Sequence, residues 1–322
     1  MKTKKEIEKE LLLHYSQKQK IANAKKDQNL ERARCNPEFD ANYKRLNELN
    51  YLIAKKKYDK IDCSKEEKEY QKLSKIQNKM LENLGLSDAD FQSSFECNLC
   101  HDSGFINNTP CSCYKKEYSK RLLIESGIDY ASLKKLEDFD PSICKPEDDT
   151  HRQTLIKLLD LIKNFVKSFP KVKTELIFLC GNTGTGKTFA SEVIASELIK
   201  RSFYVNIVTA FQMNNLFLDY HKDFDKSTSN KLSPLLDVDL LIIDDLGTEP
   251  MFRNVTKEYL YLIISERLRQ HKKTIITTNL APSEFIDTYG ERIYSRVFDK
   301  SKTIAINLKG EDLRTDNKFT KK

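Results

Sequence analysis

No apolar run in this chain approaches the length of a bilayer. Runs such as Leu176 to Cys180 and Leu240 to Ile243 fall far short of the roughly 20 residues a membrane helix needs, and 32% of the 322 residues are charged. A membrane-spanning role is therefore not expected. The N-terminus is basic but mixed with acids. It has no long apolar core and no small-residue cleavage site, so it does not read as a secretory signal, and the expected location is cytoplasmic. Excess charge of one sign is also missing: 55 basic against 48 acidic side chains leave +7, which permits nucleic-acid contact without demanding it. No glycine precedes Gly85, and no internal repeat is found. With 39% hydrophobic residues the chain can fill the core of one large or two ordinary domains.

From Lys2 to about Leu84 the chain is rich in Lys, Glu, Asn and Gln, with apolar residues at helical spacing: Leu46, Leu49, Leu52 and Ile53, then Leu73, Ile76, Met80 and Leu84. Pro37 is expected to interrupt it, leaving two or three helices. Near Phe95 the texture changes to a short segment with Gly, Pro and paired Asn that holds half of the eight cysteines. A helix over Lys115 to Ile124 follows, then a loop from Asp138 to Asp149. Beyond it, strand-like runs at Glu175 to Cys180, Tyr204 to Thr209, Leu240 to Asp244, Thr274 to Thr278 and Thr303 to Leu308 alternate with helical patterns. That alternation predicts a parallel sheet covered on both faces. Ser227 to Ser233 reads as an exposed loop, and the last dozen residues read as a fraying end.

Gly181, Asn182, Thr183, Gly184, Thr185, Gly186, Lys187 and Thr188 fit the phosphate-loop pattern G-x-x-x-x-G-K-[ST] between a strand and a helix. Its glycines let backbone amides turn towards phosphate oxygens, Lys187 reaches the terminal phosphates, and Thr188 can ligate magnesium. The alternative is a glycine-rich turn that binds nothing. The strand from Leu240 ends in Asp244, a candidate magnesium holder, and Asp245, a candidate for orienting the attacking water. Taken alone, the pair is also readable as a buried strand followed by a helix-capping acid. Asn279 closes the next strand, where it can bond that water or the terminal phosphate, or simply cap a turn. Arg292 and Arg296, four apart, share a helix face. One of them can act as an arginine finger across a neighbouring copy, a role that requires self-association; both are equally readable as solvated surface residues.

In order, GNTGTGKT, LLIIDDLGTEP, TIITTNL, ERIYSR and a terminal GEDLR resemble the AAA+ ATPases, and more closely the bacterial replicative helicase loaders of the DnaC/DnaI type. The resemblance implies an α/β fold, an AAA+ P-loop core with a central parallel sheet, behind a helical N-terminal region with a small zinc-binding module. It implies Walker A and Walker B roles for the residues above, sensor 1 at Asn279, Arg296 as the finger and a sensor 2-like Arg314. ATP and Mg2+ are the implied cofactors. Many AAA+ proteins carry Glu where this chain has Asp245, one methylene shorter, so slow intrinsic hydrolysis accelerated by partners is expected.

Cys97, Cys100, Cys111 and Cys113 supply four thiols from two short turns, an arrangement that suits tetrahedral Zn2+. Four reduced cysteines, or a site using His101 in place of one thiol, are the alternatives. The expected division is residues 1–95 as a helical helicase-interaction region, 96–130 as the four-cysteine module and linker helix, and 131–322 as the ATPase domain. The resemblance implies as partners a hexameric replicative helicase, gripped by the helical front, and single-stranded DNA. Phe211 and Lys222 are candidate DNA contacts, although an amphipathic helix explains the aromatics there as well. The rival functions are a transposition helper ATPase and a nucleotide-dependent adaptor with little hydrolysis.

Overall fold

The computed structural model describes residues 2, 4–144, 149–222 and 231–313. By internal contacts the chain divides into two compact units, residues 12–107 and residues 1–11 with 108–322. Three helices come first: α1 (Lys4–Arg34), α2 (Pro37–Tyr58) and α3 (Ser64–Asn83). Pro37 ends one helix by starting another. It occupies the first turn of α2, where no amide is needed, and Asn36 caps that turn by accepting the Glu38 and Phe39 amides at 2.9 and 3.3 Å.

In the unit of residues 12–107 a small core gathers Ala33, Phe39, Leu81 and Leu86, with Tyr43 and Met80 packed against it. Leu46 and Leu49 are buried as expected, but Leu52 and Ile76 are exposed. The reason is that charge takes over the seam between α2 and α3. Arg45–Glu69, Lys56–Glu66 and Lys57–Glu67 all pair at 2.8 Å.

Two short strands follow, β1 (Phe105–Ile106) and β2 (Thr109–Pro110), joined through Asn107 and Asn108, both left-handed with φ of 48° and 61°. Asn tolerates that conformation in a two-residue hairpin turn.

The other unit contains α4 (Ser112–Glu125), α5 (Asp149–Ser168), β3 (Leu176–Gly181), α6 (Lys187–Lys200), β4 (Val205–Thr209), α7 (Ala210–Lys222) and α8 (Ser233–Leu236). It continues with β5 (Leu240–Leu246), α9 (Thr256–Arg269), β6 (Lys273–Thr278), α10 (Pro282–Tyr289), α11 (Glu291–Val297) and β7 (Thr303–Leu308). The five strands β3 to β7 form one parallel sheet in the order β4-β5-β6-β3-β7. Each expected strand is present, and the AAA+ P-loop architecture is confirmed. Because β3 pairs with β6 and β6 with β5, the loop after β3 opens at the same sheet edge as the ends of β5 and β6.

Alternate residues cover the two faces of the sheet. Ile177 and Leu179 join Leu155, Leu158 and Ile194 in one core, whereas Phe178 points the other way, with rings of Phe285 and Phe298 at 5.3 and 4.7 Å. Burial on both faces explains why these strands read as continuous apolar runs.

The expected loop from Ser227 to Ser233 lies partly outside the described residues. Its end differs from the expectation: Leu232 and Ser233 are buried, and Ser233 opens α8. Among the described residues no helix is long and apolar enough to cross a membrane.

Candidate nucleotide site

The phosphate loop leaves β3 at Gly181, where φ is 138° and a Cβ would stand 2.1 Å from the Leu308 carbonyl oxygen. Only glycine fits there. Gly184 and Gly186 are also left-handed, at 77° and 99°, and Gly186 opens α6. Lys187 is buried at the first position of that helix, its Nζ donating to the carbonyls of Gly181 at 2.8 Å and Asn182 at 2.6 Å. Thr185 Oγ1 ties the loop to itself through Asn182 O at 2.9 Å. Behind the loop, buried His151 places Nε2 3.4 Å from Thr185 O, and the Leu313 amide donates to Gly184 O at 3.0 Å.

The two acids of β5 sit on a local irregularity. Pairing of β5 with β6 is regular through Ile243 and Ile276, then shifts before Leu246 meets Thr278. Asp245 is left-handed at φ 55°. That backbone is uncommon for any residue but Gly and costs on the order of 1 kcal/mol. It separates the roles of two neighbouring side chains. Asp244 turns towards the loop helix, with Oδ1 and Oδ2 3.1 and 3.3 Å from Thr188 Oγ1. Asp245 instead lines the cavity. Thr277 braces both, donating from Oγ1 to Asp244 Oδ1 at 2.6 Å and accepting the Asp245 amide at 2.9 Å. Burial pushes the Asp244 carboxyl above its ordinary range, and the charge of Asp245 adds to the rise against the pull of the two threonine hydroxyls.

A cavity of about 540 Å³ joins these elements. Its lining combines Thr183, Gly184, Gly186, Lys187, Thr188, Asp245 and Asn279 with the apolar side chains of Phe139, Ile143, Leu155, Phe189 and Leu313 and the charged Lys134, Asp138, Asp140 and Glu192. Phosphate-binding groups and apolar side chains in one cavity suit the two halves of a nucleotide. Gly181, Asn182 and Thr185 shape the loop behind this surface, and Asp244 reaches it through Thr188. Asn279 is exposed just past β6.

Arg292 and Arg296 are exposed on α11 and do not line the cavity; the Arg292 guanidinium lies 4.3 Å from the centre of the Tyr261 ring. Arg314 lies outside the described residues.

Sequence reasoning missed several contributors. From the sequence Thr277 is legible only as part of a strand. Glu192 lines the cavity, and burial pushes its carboxyl upward. Phe139 and Ile143 belong to the Pro-punctuated stretch expected to be a loop, which forms short 3-10 turns at Leu136–Asp138 and Pro141–Ile143. Apolar residues inside such a stretch were the available signal. Glu249 fastens the turn after β5 to α10: its carboxylate accepts the Gly247 amide at 2.8 Å and the Tyr289 hydroxyl at 2.5 Å.

The sulfur atoms of Cys97, Cys100, Cys111 and Cys113 lie within 4.8 Å of one another, a group that could hold a metal ion and does not include His101. The buried Asp102 carboxylate fixes the first turn by accepting the Glu96 and Cys97 amides, both at 2.9 Å, and the Gly104 amide donates to Cys100 Sγ at 3.4 Å. The two DNA candidates on α7, Phe211 and Lys222, are exposed, whereas Met213 and Phe217 of the same helix are core residues.

Residues 128–320 match the family described as IstB-like ATP binding protein. The chain is similar to the replicative helicase loader DnaI of Bacillus subtilis (strain 168), 25% identical over 183 residues that cover 55% of this chain and 54% of that protein. It is also similar to the replicative helicase loader DnaC of Escherichia coli (strain K12), 29% identical over 141 residues, 43% of this chain and 56% of that one. The chain thus spans about half the length of the curated relatives it matches. Among solved structures, a DnaC helicase loader superposes with a TM-score of 0.45 at 20% identity, covering 55% of this chain and 98% of that one. With a phosphate loop, paired acids and a match over most of the chain, this protein belongs to the family of IstB-like ATP binding proteins, in an AAA+ domain of the IstB/DnaC type.

Proposed function

We propose that this protein is an ATP-dependent loader that places the replicative DNA helicase on single-stranded DNA during replication initiation. One observation carries the nucleotide half of this reading: Thr188 of the phosphate loop touches Asp244, while Asp245 and Asn279 open into the same cavity as Lys187. The relatives named as loaders support the helicase half.

The residues present fit ATP with Mg2+. Lys187 exchanges its two loop carbonyls for phosphate oxygens, and the amides of residues 183–188 line the phosphates. Thr188 and Asp244 offer a hydroxyl and a carboxylate side by side, the donor set a hard divalent cation prefers. When bound, Mg2+ supplies charge neutralisation on the phosphates. Asp245 holds the attacking water, and Asn279 bonds that water or the terminal phosphate. The base lies against Phe139 and Ile143. Arg296, which does not line its own cavity, serves as a finger in the site of a neighbouring copy, and Arg314 serves as a sensor. The short reach of Asp245 keeps intrinsic hydrolysis slow until partners complete the site.

The four thiols fit Zn2+. A tetrahedral ion with Zn–S bonds of about 2.3 Å sets sulfur separations of about 3.8 Å, a small contraction of the observed group. Residues 1–95 grip the helicase, 96–130 hold the zinc, and residues 131–322 bind nucleotide and, through Phe211 and Lys222, DNA. The decisive experiment is capture of the cognate helicase by the full chain and by Lys187→Ala, with and without ATP. Loss of ATP binding with helicase binding retained is expected, and failure of the unaltered chain to retain the helicase in any nucleotide state overturns the reading. Elemental analysis should return one zinc per chain.

A further inference from the structure

On α3, Lys65, Lys68, Lys72, Lys75 and Lys79 follow one another at steps of three and four residues, and all five are exposed. At 100° per residue they fall within an arc of about 80°, in a straight row about 21 Å long. The acids of the first half of α3 do not neutralise it. Glu66 and Glu67 are turned to Lys56 and Lys57, and Glu69, which borders the row, is turned to Arg45. The next acid on that side is Glu82, one turn beyond the last lysine. Among the described residues none of the five lysines forms an ion pair. The ion pairing that closes the α2–α3 seam therefore leaves a continuous positive edge on the side away from it.

We propose that this lysine row is a binding site for the phosphate backbone of single-stranded DNA, separate from the nucleotide site and from α7. Five point charges without arginine or aromatic neighbours in the row suit a repeating monoanion better than a protein partner, whose contacts concentrate on aromatic and arginine anchors. A membrane surface would require an apolar flank to insert, and among the exposed large apolar residues of α3 only Ile76 borders the row. A single strand can lie along a straight helix edge over its whole length, whereas the backbone of a duplex curves away after a few phosphates. Contact with phosphates alone makes the site indifferent to base sequence and sensitive to salt.

The test measures anisotropy of a labelled oligothymidine with the full-length protein, without ATP, over a range of salt concentrations. All five lysines are changed to Gln, which keeps helix propensity close to that of Lys. The row predicts affinity at least about ten-fold weaker at low salt and a logarithmic salt slope shallower by about 3.5. Lys68→Gln with Lys72→Gln should lower the slope by about 1.4, and this pair decides the matter if the five-fold variant melts early. A five-fold Lys→Arg variant should bind as the unaltered chain does. The same comparison in a Lys187→Ala background should give the same differences, since the row does not depend on nucleotide. Unchanged affinity and slope overturn the proposal. So does a loss confined to duplex DNA, to phosphatidylserine vesicles or to helicase capture, with single-strand affinity intact.

Discussion

At the amino-terminal end of the parallel sheet Arg267 is fully buried and spends its donors on fixed oxygens: Leu235 O at 2.8 Å, Val238 O at 3.0 Å, Lys273 O at 2.5 Å and Thr274 Oγ1 at 3.0 Å. At the carboxyl end Asp244 is also largely enclosed, yet it receives two hydroxyls and stands beside a second acid. Burial, opposed by the nearby charges of Asp239 and Asp237, leaves the guanidinium at about 9, so it stays charged at neutral pH, and the oxygen cage makes that charge a structural asset. At the other end burial and Asp245 both work against the charge. One end is a closed electrostatic account, and the other is left wanting a cation. Stability and ligand demand are thus divided between two edges a strand length apart.

The largest effect should come from the closed end. Arg267→Met strands several backbone carbonyls, and urea denaturation should show a loss of about 3–5 kcal/mol. Arg267→Lys should recover only part of it, since three donors on a flexible stem cannot reproduce the fork. A loss under about 1 kcal/mol would break the comparison. At the open end Lys187→Ala should behave in the opposite way. ATP affinity by titration calorimetry should fall at least about 100-fold, about 2.7 kcal/mol, while unfolding free energy without nucleotide changes by no more than about 1 kcal/mol.

The open end was largely legible in the sequence because its chemistry is written in contiguous residues. Gly181 to Thr188 must be adjacent for their amides to converge, and Asp244, Asp245 and Asn279 stand at strand ends that the apolar runs mark. Thr277 was illegible because its role depends on which strand neighbours β5 and on the register shift between Ile243 and Leu246. Strand order is a tertiary fact with no local residue code. The closed end was illegible for the same reason: apart from the Thr274 hydroxyl, the partners of Arg267 are backbone oxygens from α8, the turn before β5 and β6, and a backbone carbonyl has no letter. The front helices were half legible. Spacing gave the helices, but the exposure of Leu52 and Ile76 follows from ion pairs between two elements rather than from periodicity within one.

A smaller effect sharpens the contrast. Because the folded carboxyl of Asp244 sits above its unfolded value, the native state holds that proton more tightly. Stability therefore falls as pH rises from the unfolded value through the folded one, and above both the full cost of the buried charge is present. Asp244→Asn removes that cost while its amide oxygen still accepts from Thr188 and Thr277. Without nucleotide or metal, the variant should exceed the unaltered protein in urea stability by on the order of 1 kcal/mol at neutral pH. The advantage should shrink as the pH is lowered through that window. The same substitution should abolish magnesium-dependent ATP turnover. A variant that is less stable at neutral pH would show that Asp244, like Arg267, is a structural charge.

The smallest effect concerns the arginines outside both ends. The neighbouring Arg292, then Arg296, with the Ser265 hydroxyl, hold the Tyr261 phenol down to about 8, well below an ordinary tyrosine. The site is exposed, so the shift marks geometry and carries no stability claim. It supplies a reporter for the proposed finger. In a neighbouring copy's site the finger must point at phosphate, and a guanidinium committed to phosphate is withdrawn from Tyr261. By nuclear magnetic resonance of ring-labelled tyrosine, Tyr261 should titrate near 8 in the free protein and move towards its ordinary value of 10 in Arg292→Ala. Arg296→Ala should move it less. When ATP and assembly bring copies together, the unaltered phenol should shift upward by about the amount that Arg296→Ala produces. A phenol that titrates identically in the free and assembled protein would mean Arg296 never leaves Tyr261, and the finger would then have to be sought elsewhere.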